Sequence, residues 1–207
     1  MTENIPSIQG PVCPVPKSHK DKIVLGHGSG GKMMADLIKD IFYPPLANEA
    51  LLASNDAGVV ELPGGVRLAV STDAHVVSPL FFPGGDIGKL AVCGTVNDVA
   101  MVGATPLYLS ASFILEEGLA FDVLKKVVHS MKDAAEEAGV KIICGDTKVV
   151  AFGEADGLYI STTGVGLLEP GLIIGGSEAK PGDQVIVSGT LGDHGIAVLE
   201  ARGELGF

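Results

Sequence analysis

One stretch constrains the architecture more than any other. Phe121, Leu124, Val127, Val128, Met131, Ala134, Ala135 and Ala138 recur at helical spacing, and Gly139 follows at once. That pattern is an amphipathic helix with one apolar stripe and a glycine stop. Its flanks read as strands: Leu107–Leu115 alternates, and Val140–Cys144 (VKIIC) is apolar and ends at Gly145-Asp146. Further strands are expected at Val66–Thr72, ending at Asp73, at Leu158–Val165, at Gln184–Ser188 and, more briefly, at Lys22–Leu25. A second long helix fits Ile87–Met101, with Asp86 near its start and Gly103 just past its end. A third carries Met33, Met34, Leu37, Ile38, Ile41 and Phe42, and Pro44 with Pro45 should stop it. Residues 46–58 show no convincing strand. The order is therefore mixed α and β. Residues 1–21 are Pro-rich and read as a flexible arm, with Cys13 incidental. Residues 171–207 read as a turn-rich connection followed by the opening of another unit, too short to bury a core of its own. The expectation is one complete domain over 22–170 and a fragment of a second.

Charge narrows the function classes. The 207 residues include 14 Lys and Arg against 25 Asp and Glu, for a formal net charge of −11. A nucleic-acid surface needs clustered Lys and Arg, so the balance argues against one. The only arginines are Arg67 and Arg202, so any phosphate site must rest on backbone N–H groups, a few lysines, or metal ions held by carboxylates. Glycine supplies 29 residues without a low-complexity repeat, which points to turns and to close backbone approach to a ligand. Cys13, Cys93 and Cys144 form no CxxC pair and fit a reducing compartment. No run reaches the ~20 apolar residues of a membrane span, and the N-terminus lacks the apolar centre of a signal peptide. A cytoplasmic protein without membrane or nucleic-acid partners is expected.

Three segments carry chemistry. Gly26-His27-Gly28-Ser29-Gly30-Gly31-Lys32 satisfies GxGxxG and nearly satisfies GxxxxGK[ST], but Met33 offers a thioether where Mg²⁺ needs a hydroxyl. It reads either as a turn capping a helix or as a mobile loop over phosphates. A dinucleotide reading lacks the second strand with its acidic end. Next come carboxylates at element ends: Asp56, Asp73, Asp98 and Asp146. Asp98, with Asn97 beside it, interrupts an apolar helix, where a carboxylate is costly unless paired or metal-bound. Hard oxygens from several elements suit Mg²⁺ carrying a nucleotide triphosphate. The third segment is Phe81–Lys89 (FFPGGDIGK), where Asp86 and Lys89 mark either a capped helix start or an anion site. His19, His27, His75, His129 and His194 show no zinc spacing.

HGSGGK, STDAHVVSPLFFPGGDIGKLAVCGTVNDVAMVGATPLYLS, GDTKVV, STTGVG and GDQVIVSGTLGDHG together resemble the HypE family of hydrogenase maturation proteins. That family belongs to the superfamily of aminoimidazole ribonucleotide synthetase, selenophosphate synthetase and thiamine monophosphate kinase. The similarity runs from about Ile23 to Gly195. It implies an α/β (α+β) fold: a mixed sheet with helices packed on one side, and sheets forming a barrel at a homodimer interface. It also implies an ATP-dependent carbamoyl dehydratase, which turns a carbamoylated C-terminal cysteine into a thiocyanate for the cyanide ligands of NiFe hydrogenase. Implied partners are the carbamoyltransferase and the iron–cyanide scaffold complex. Implied cofactors are ATP and Mg²⁺.

Carried over by position, Asp56, Asp73, Asp98 and Asp146 would hold Mg²⁺, and Gly28, Ser29, Gly30, Gly31 and Lys32 would close over the nucleotide. Asp86, Lys89, Thr95, Asn97 and Thr147 would help bind it. Lys148 and Asp146 would stand at the reacting group, Lys148 stabilising phosphate charge or moving a proton. The usual second domain and acceptor cysteine are absent from these residues, so the chain alone is expected to be inactive. A different class of reading is a dimerising, docking module for maturation partners that binds no nucleotide by itself.

Overall fold

The computed structural model describes residues 22–204. They fall into two compact units that divide between Asn48 and Glu49. The arm expected over 1–21 lies outside the described residues.

The first unit is helical. A 3₁₀ turn at Leu25–Gly28 leads to α1 (Lys32–Leu37), a π-helical turn at Ile38–Phe42 and α2 (Tyr43–Leu46). The strand expected at Lys22–Leu25 is not formed. The His27 amide donates to Val24 O at 2.9 Å and the Val24 amide to His27 Nδ1 at 3.0 Å, so local bonds bend the chain there. Pro44 and Pro45 do not stop the helix. They sit in the first turn of α2, where a missing N–H breaks no helical bond.

The second unit begins with α3 (Glu49–Leu52) and β1 (Gly58–Glu61), then β2 (Arg67–His75) and a two-residue ribbon, β3 (Phe81–Phe82) with β4 (Gly85–Asp86). Next come α4 (Ile87–Met101), β5 (Thr105–Glu116), α5 (Phe121–Ala138), β6 (Lys141–Val150), β7 (Leu158–Leu168) and α6 (Asp193–Ala201). Five strands form one mixed sheet in the order β1-β2-β7-β5-β6. Only β5 and β6 are parallel, and α5 makes the crossover that such a pair requires. Gly139, at φ 70°, closes α5 in the left-handed conformation, its amide bonding back to Ala135 and Glu136.

Helices α4 and α5 cover one face. Every second residue of β7 from Leu158 to Leu168 is buried on that side. Ile87, Val92, Leu109, Val127, Met131, Leu158 and Ile160 form the centre of the core. The opposite face leaves Val60, Val70, Tyr108, Ile114 and Leu167 exposed. The sheet is open, so the expected helices on one side are present, while the barrel would need a second sheet. Gln184–Ser188, expected as a strand, forms no strand, with Val185 and Ile186 almost fully exposed. A strand needs a neighbour to bond, and among the described residues it has none. No described helix is long and apolar enough to cross a membrane.

The helices meet closely because Gly88 has no side chain. A Cβ there would stand 2.5 Å from the Val127 carbonyl oxygen and 3.0 Å from Met131 Cγ. Gly88→Ala is therefore expected to cost about 1–3 kcal/mol of stability through overpacking. A urea unfolding midpoint below that of the unaltered chain checks it.

Candidate functional site

Strand alternation builds the site. On β2, Ser71, Asp73 and His75 share the face toward the helices, because their register partners Gly164, Thr162 and Ile160 all lie on the buried face of β7. Helix α4 then brings Asp98 into reach. Ser71 Oγ lies 3.0 Å from Asp98 Oδ2 and 3.0 Å from the Asp56 carbonyl oxygen, so one hydroxyl ties three elements together. Asp73 Oδ1 accepts from the Ala74 amide at 2.7 Å, and its Oδ2 faces His75 Nε2 at 3.3 Å.

Electrostatics marks Asp98. Burial pushes its carboxyl above the ordinary range, and the carboxylates of Asp73 and Asp56 push the same way, against the Ser71 hydrogen bond and His75. Burial pulls His75 below the ordinary imidazole value, opposed by Asp73, the Ile160 backbone and Asp98. Three carboxylates that repel one another, with no lysine or arginine among the groups acting on Asp98, suit a cation. Among the described residues no three His, Cys, Asp or Glu side chains are gathered closely enough to hold a metal alone. Mg²⁺ ordinarily takes one or two carboxylates, with substrate phosphates and water completing its shell. Asp73 and Asp98, supported by Asp56, fit that demand.

The fourth carboxylate does not join them. Asp146 pairs in register with Ser112, Ser112 with Ser161, and Ser161 with Ala74, the neighbour of Asp73 on the opposite side of the sheet. Asp146 thus lies on the open face and three strands away, so one chain cannot close all four around one ion. There it binds Lys148 Nζ at 2.6 Å, and this bond holds its carboxyl below the ordinary range. Thr147 points the other way, lining a crevice with Phe113, Leu115, Leu124 and Val128.

Two further expectations change. Thr95 is fully buried, its hydroxyl 2.6 Å from that of Thr162, which in turn donates to Ala91 O at 2.9 Å. It braces α4 on β7 and offers no atom to a phosphate, whereas Asn97 on the same helix is exposed. Asp86 caps α4: its Oδ1 accepts from Gly88 and Lys89 amides, and its Oδ2 from Ser130 Oγ at 2.6 Å. Both oxygens are engaged and the first amides of α4 are satisfied, so the cap reading replaces the anion site. Lys89 lines a groove with Lys125, Lys126 and His129 of α5.

In the first unit, the loop is exposed. Gly30 adopts φ 74°, and Ser29 Oγ donates to Gly26 O at 2.9 Å. Gly28 and Gly31 have open space around them or only Ser29 nearby. Lys32 Nζ binds both carboxylate oxygens of Asp36, at 2.8 and 2.9 Å. Ser71 and His75 carry no role in the sequence reading. The signal was the period-two set Ser71, Asp73, His75 on one strand face.

Because the Asp98 carboxyl is raised in the fold, its ionisation favours the unfolded chain. The associated stability is complete below the ordinary carboxylate value and is lost as pH rises through the raised one. In metal-free buffer, Asp98→Asn is expected to raise the Tm at neutral pH. That gain should close below about pH 4. Thermal melts across pH check it.

The family described as AIR synthase related protein, N-terminal domain, matches residues 54–168. The carbamoyl dehydratase HypE of Cupriavidus necator is 55% identical over 186 residues, covering 90% of this chain and 53% of the relative. A crystal structure of a HypE–HypF complex superposes with a TM-score of 0.76 at 54% identity, covering 83% of this chain and 55% of that one. HypE crystallised with ATP gives a TM-score of 0.65 at 50% identity, covering 90% of this chain and 54% of that one. The chain spans about half the length of the curated relatives it matches. The family model takes in more than half of these residues, and the chain belongs to the AIR synthase related family, on its HypE branch.

Proposed function

We propose that these residues are the ATP-binding part of a carbamoyl dehydratase that serves hydrogenase maturation. The observation that carries this reading is the group formed by Asp73, Asp98 and Asp56 on β2, α4 and the approach to β1, with Ser71 linking Asp98 to Asp56. The ATP complex of a relative at 50% identity supports it.

In the whole protein the reaction would act on a carbamoylated cysteine. The amide oxygen takes the γ-phosphoryl group of ATP, which makes that oxygen a good leaving group. Loss of phosphate and of the amide protons then leaves a thiocyanate, with ADP as the other product. Mg²⁺ at Asp73 and Asp98 would offset charge on the phosphates. The chain's own contribution is to hold those carboxylates in a fixed array and to exclude water. The exposed loop Gly26–Lys32 is proposed to fold over the nucleotide, since its glycines present backbone N–H groups without side-chain bulk. Lys148, paired with Asp146, is proposed to stabilise phosphate charge or move a proton.

The open sheet face carries a second proposal. Val60, Val70, Tyr108, Ile114 and Leu167 lie on one side without a covering layer, and a homodimer would bury them. The HypE–HypF complex supports a carbamoyltransferase as a further partner, and the iron–cyanide scaffold complex is proposed with it. These residues equally favour the docking-module reading, and one titration separates the two. Calorimetry with a non-hydrolysable ATP analogue should show Mg²⁺-dependent binding, and Asp73→Asn should weaken it at least about tenfold. Absence of binding with and without Mg²⁺ would favour the docking module.

A further inference from the structure

We infer that His75 is a positioning residue that holds the Asp73 carboxylate from behind in the geometry a cation requires. The inference rests on the nucleotide reading above and adds a residue to its machinery.

Three observations carry it. The His75 side chain is 5% exposed, yet neither ring nitrogen makes a well-formed hydrogen bond among the described residues, although the Ile160 backbone and Asp73 are close enough to act on the ring. A buried polar group left unsatisfied is destabilising. Packing alone would be better served by an apolar residue, as at its alternate neighbour Val77 in the core. Second, Asp73 is half exposed and its two oxygens differ. Oδ1 takes the Ala74 amide, while Oδ2 faces His75 Nε2 at 3.3 Å, already within hydrogen-bond range and short only of the right angle. Third, α4 carries glycine where it passes the pair. A Cβ on Gly94 would stand 2.9 Å from His75 Nε2 and 3.6 Å from Asp73 Oδ2. The helix therefore leaves open the space that the imidazole and carboxylate share.

A metal-ligating carboxylate is itself oriented by an outer hydrogen bond, and removing such a partner typically lowers metal affinity 10–100-fold. An imidazole with its proton on Nε2 would donate to Asp73 Oδ2, which it faces at 3.3 Å. The Asp73 face turned to solvent stays free for that cation.

The test compares His75→Leu, His75→Gln and Gly94→Ala with the unaltered chain. Binding of the non-hydrolysable ATP analogue is measured by calorimetry with and without Mg²⁺. Mn²⁺ replaces Mg²⁺ in a parallel electron paramagnetic resonance titration, and Tm is read in metal-free buffer. His75→Leu should lose 10–100-fold in Mg²⁺-dependent affinity without a fall in Tm, because it removes an unsatisfied polar group. His75→Gln, which keeps an N–H donor, should recover most of that loss. If His75→Leu does not fold, Gly94→Ala, which crowds the imidazole away from Asp73, should show the same selective loss. Unchanged Mg²⁺-dependent affinity in the folded variants overturns the inference and leaves the nucleotide reading standing. So does a loss matched by falling Tm and not rescued by glutamine. No Mg²⁺-dependent binding by the unaltered chain overturns both.

Discussion

The close seat of α4 on the sheet is the constraint from which the site follows. It depends on small residues at the contact. Gly88 lets the helix meet α5, and Gly94 lets it pass Asp73 and His75. On the sheet side, Cβ atoms at Gly164 and Gly166 would stand 3.0 and 2.5 Å from Val99. The Thr95–Thr162 hydroxyl pair fixes the same approach with hydrogen bonds in place of bulk. Only a helix this near to β2 brings Asp98 within 3.0 Å of Ser71. A larger residue at Gly88, Gly164 or Gly166 would lift α4 and separate the carboxylates.

That geometry places like charges together inside a chain already at −11. Burial chiefly raises the Asp98 carboxyl, and the carboxylates of Asp73 and Asp56 push it the same way, which makes the charged group costly when empty of counter-charge. No lysine or arginine is among the groups acting on Asp98, and Lys132 and Lys148 are paired with Glu136 and Asp146. The fold thus stores unfavourable charge where a cation and phosphates would relieve it.

Local signals were legible in the sequence, and relations across the sheet were not. Helices Ile87–Met101 and Phe121–Ala138 have the ends expected of them because Asp86 and Gly139 act within their own turns. Strand β1 escaped notice because its four residues carry no alternation. Gln184–Ser188 has strand-forming residues but no strand to bond, a fact no local pattern contains. The family resemblance implied Thr95 as a nucleotide-binding residue, yet its helical position turns it onto Thr162. Asp73 and Asp98 were visible as misplaced carboxylates. Ser71 and His75 became meaningful only when strand alternation aligned them with Asp73.

The division of the sheet into two faces limits what one chain can do by itself. Asp73 and Asp98 work on the helical side, whereas Asp146 and Lys148 stand on the open side, three strand spacings or roughly 14 Å across. The sheet's own thickness is added to that span. No side-chain rotation carries Lys148 through a hydrogen-bonded sheet to phosphates held at Asp73. In the proposed homodimer, however, the open face is the one that meets the second copy, and the Asp146–Lys148 pair would sit in that contact. A role for Lys148 in the reaction therefore depends on assembly, while the cation-holding role proposed for Asp73 and Asp98 would depend only on the packing of α4.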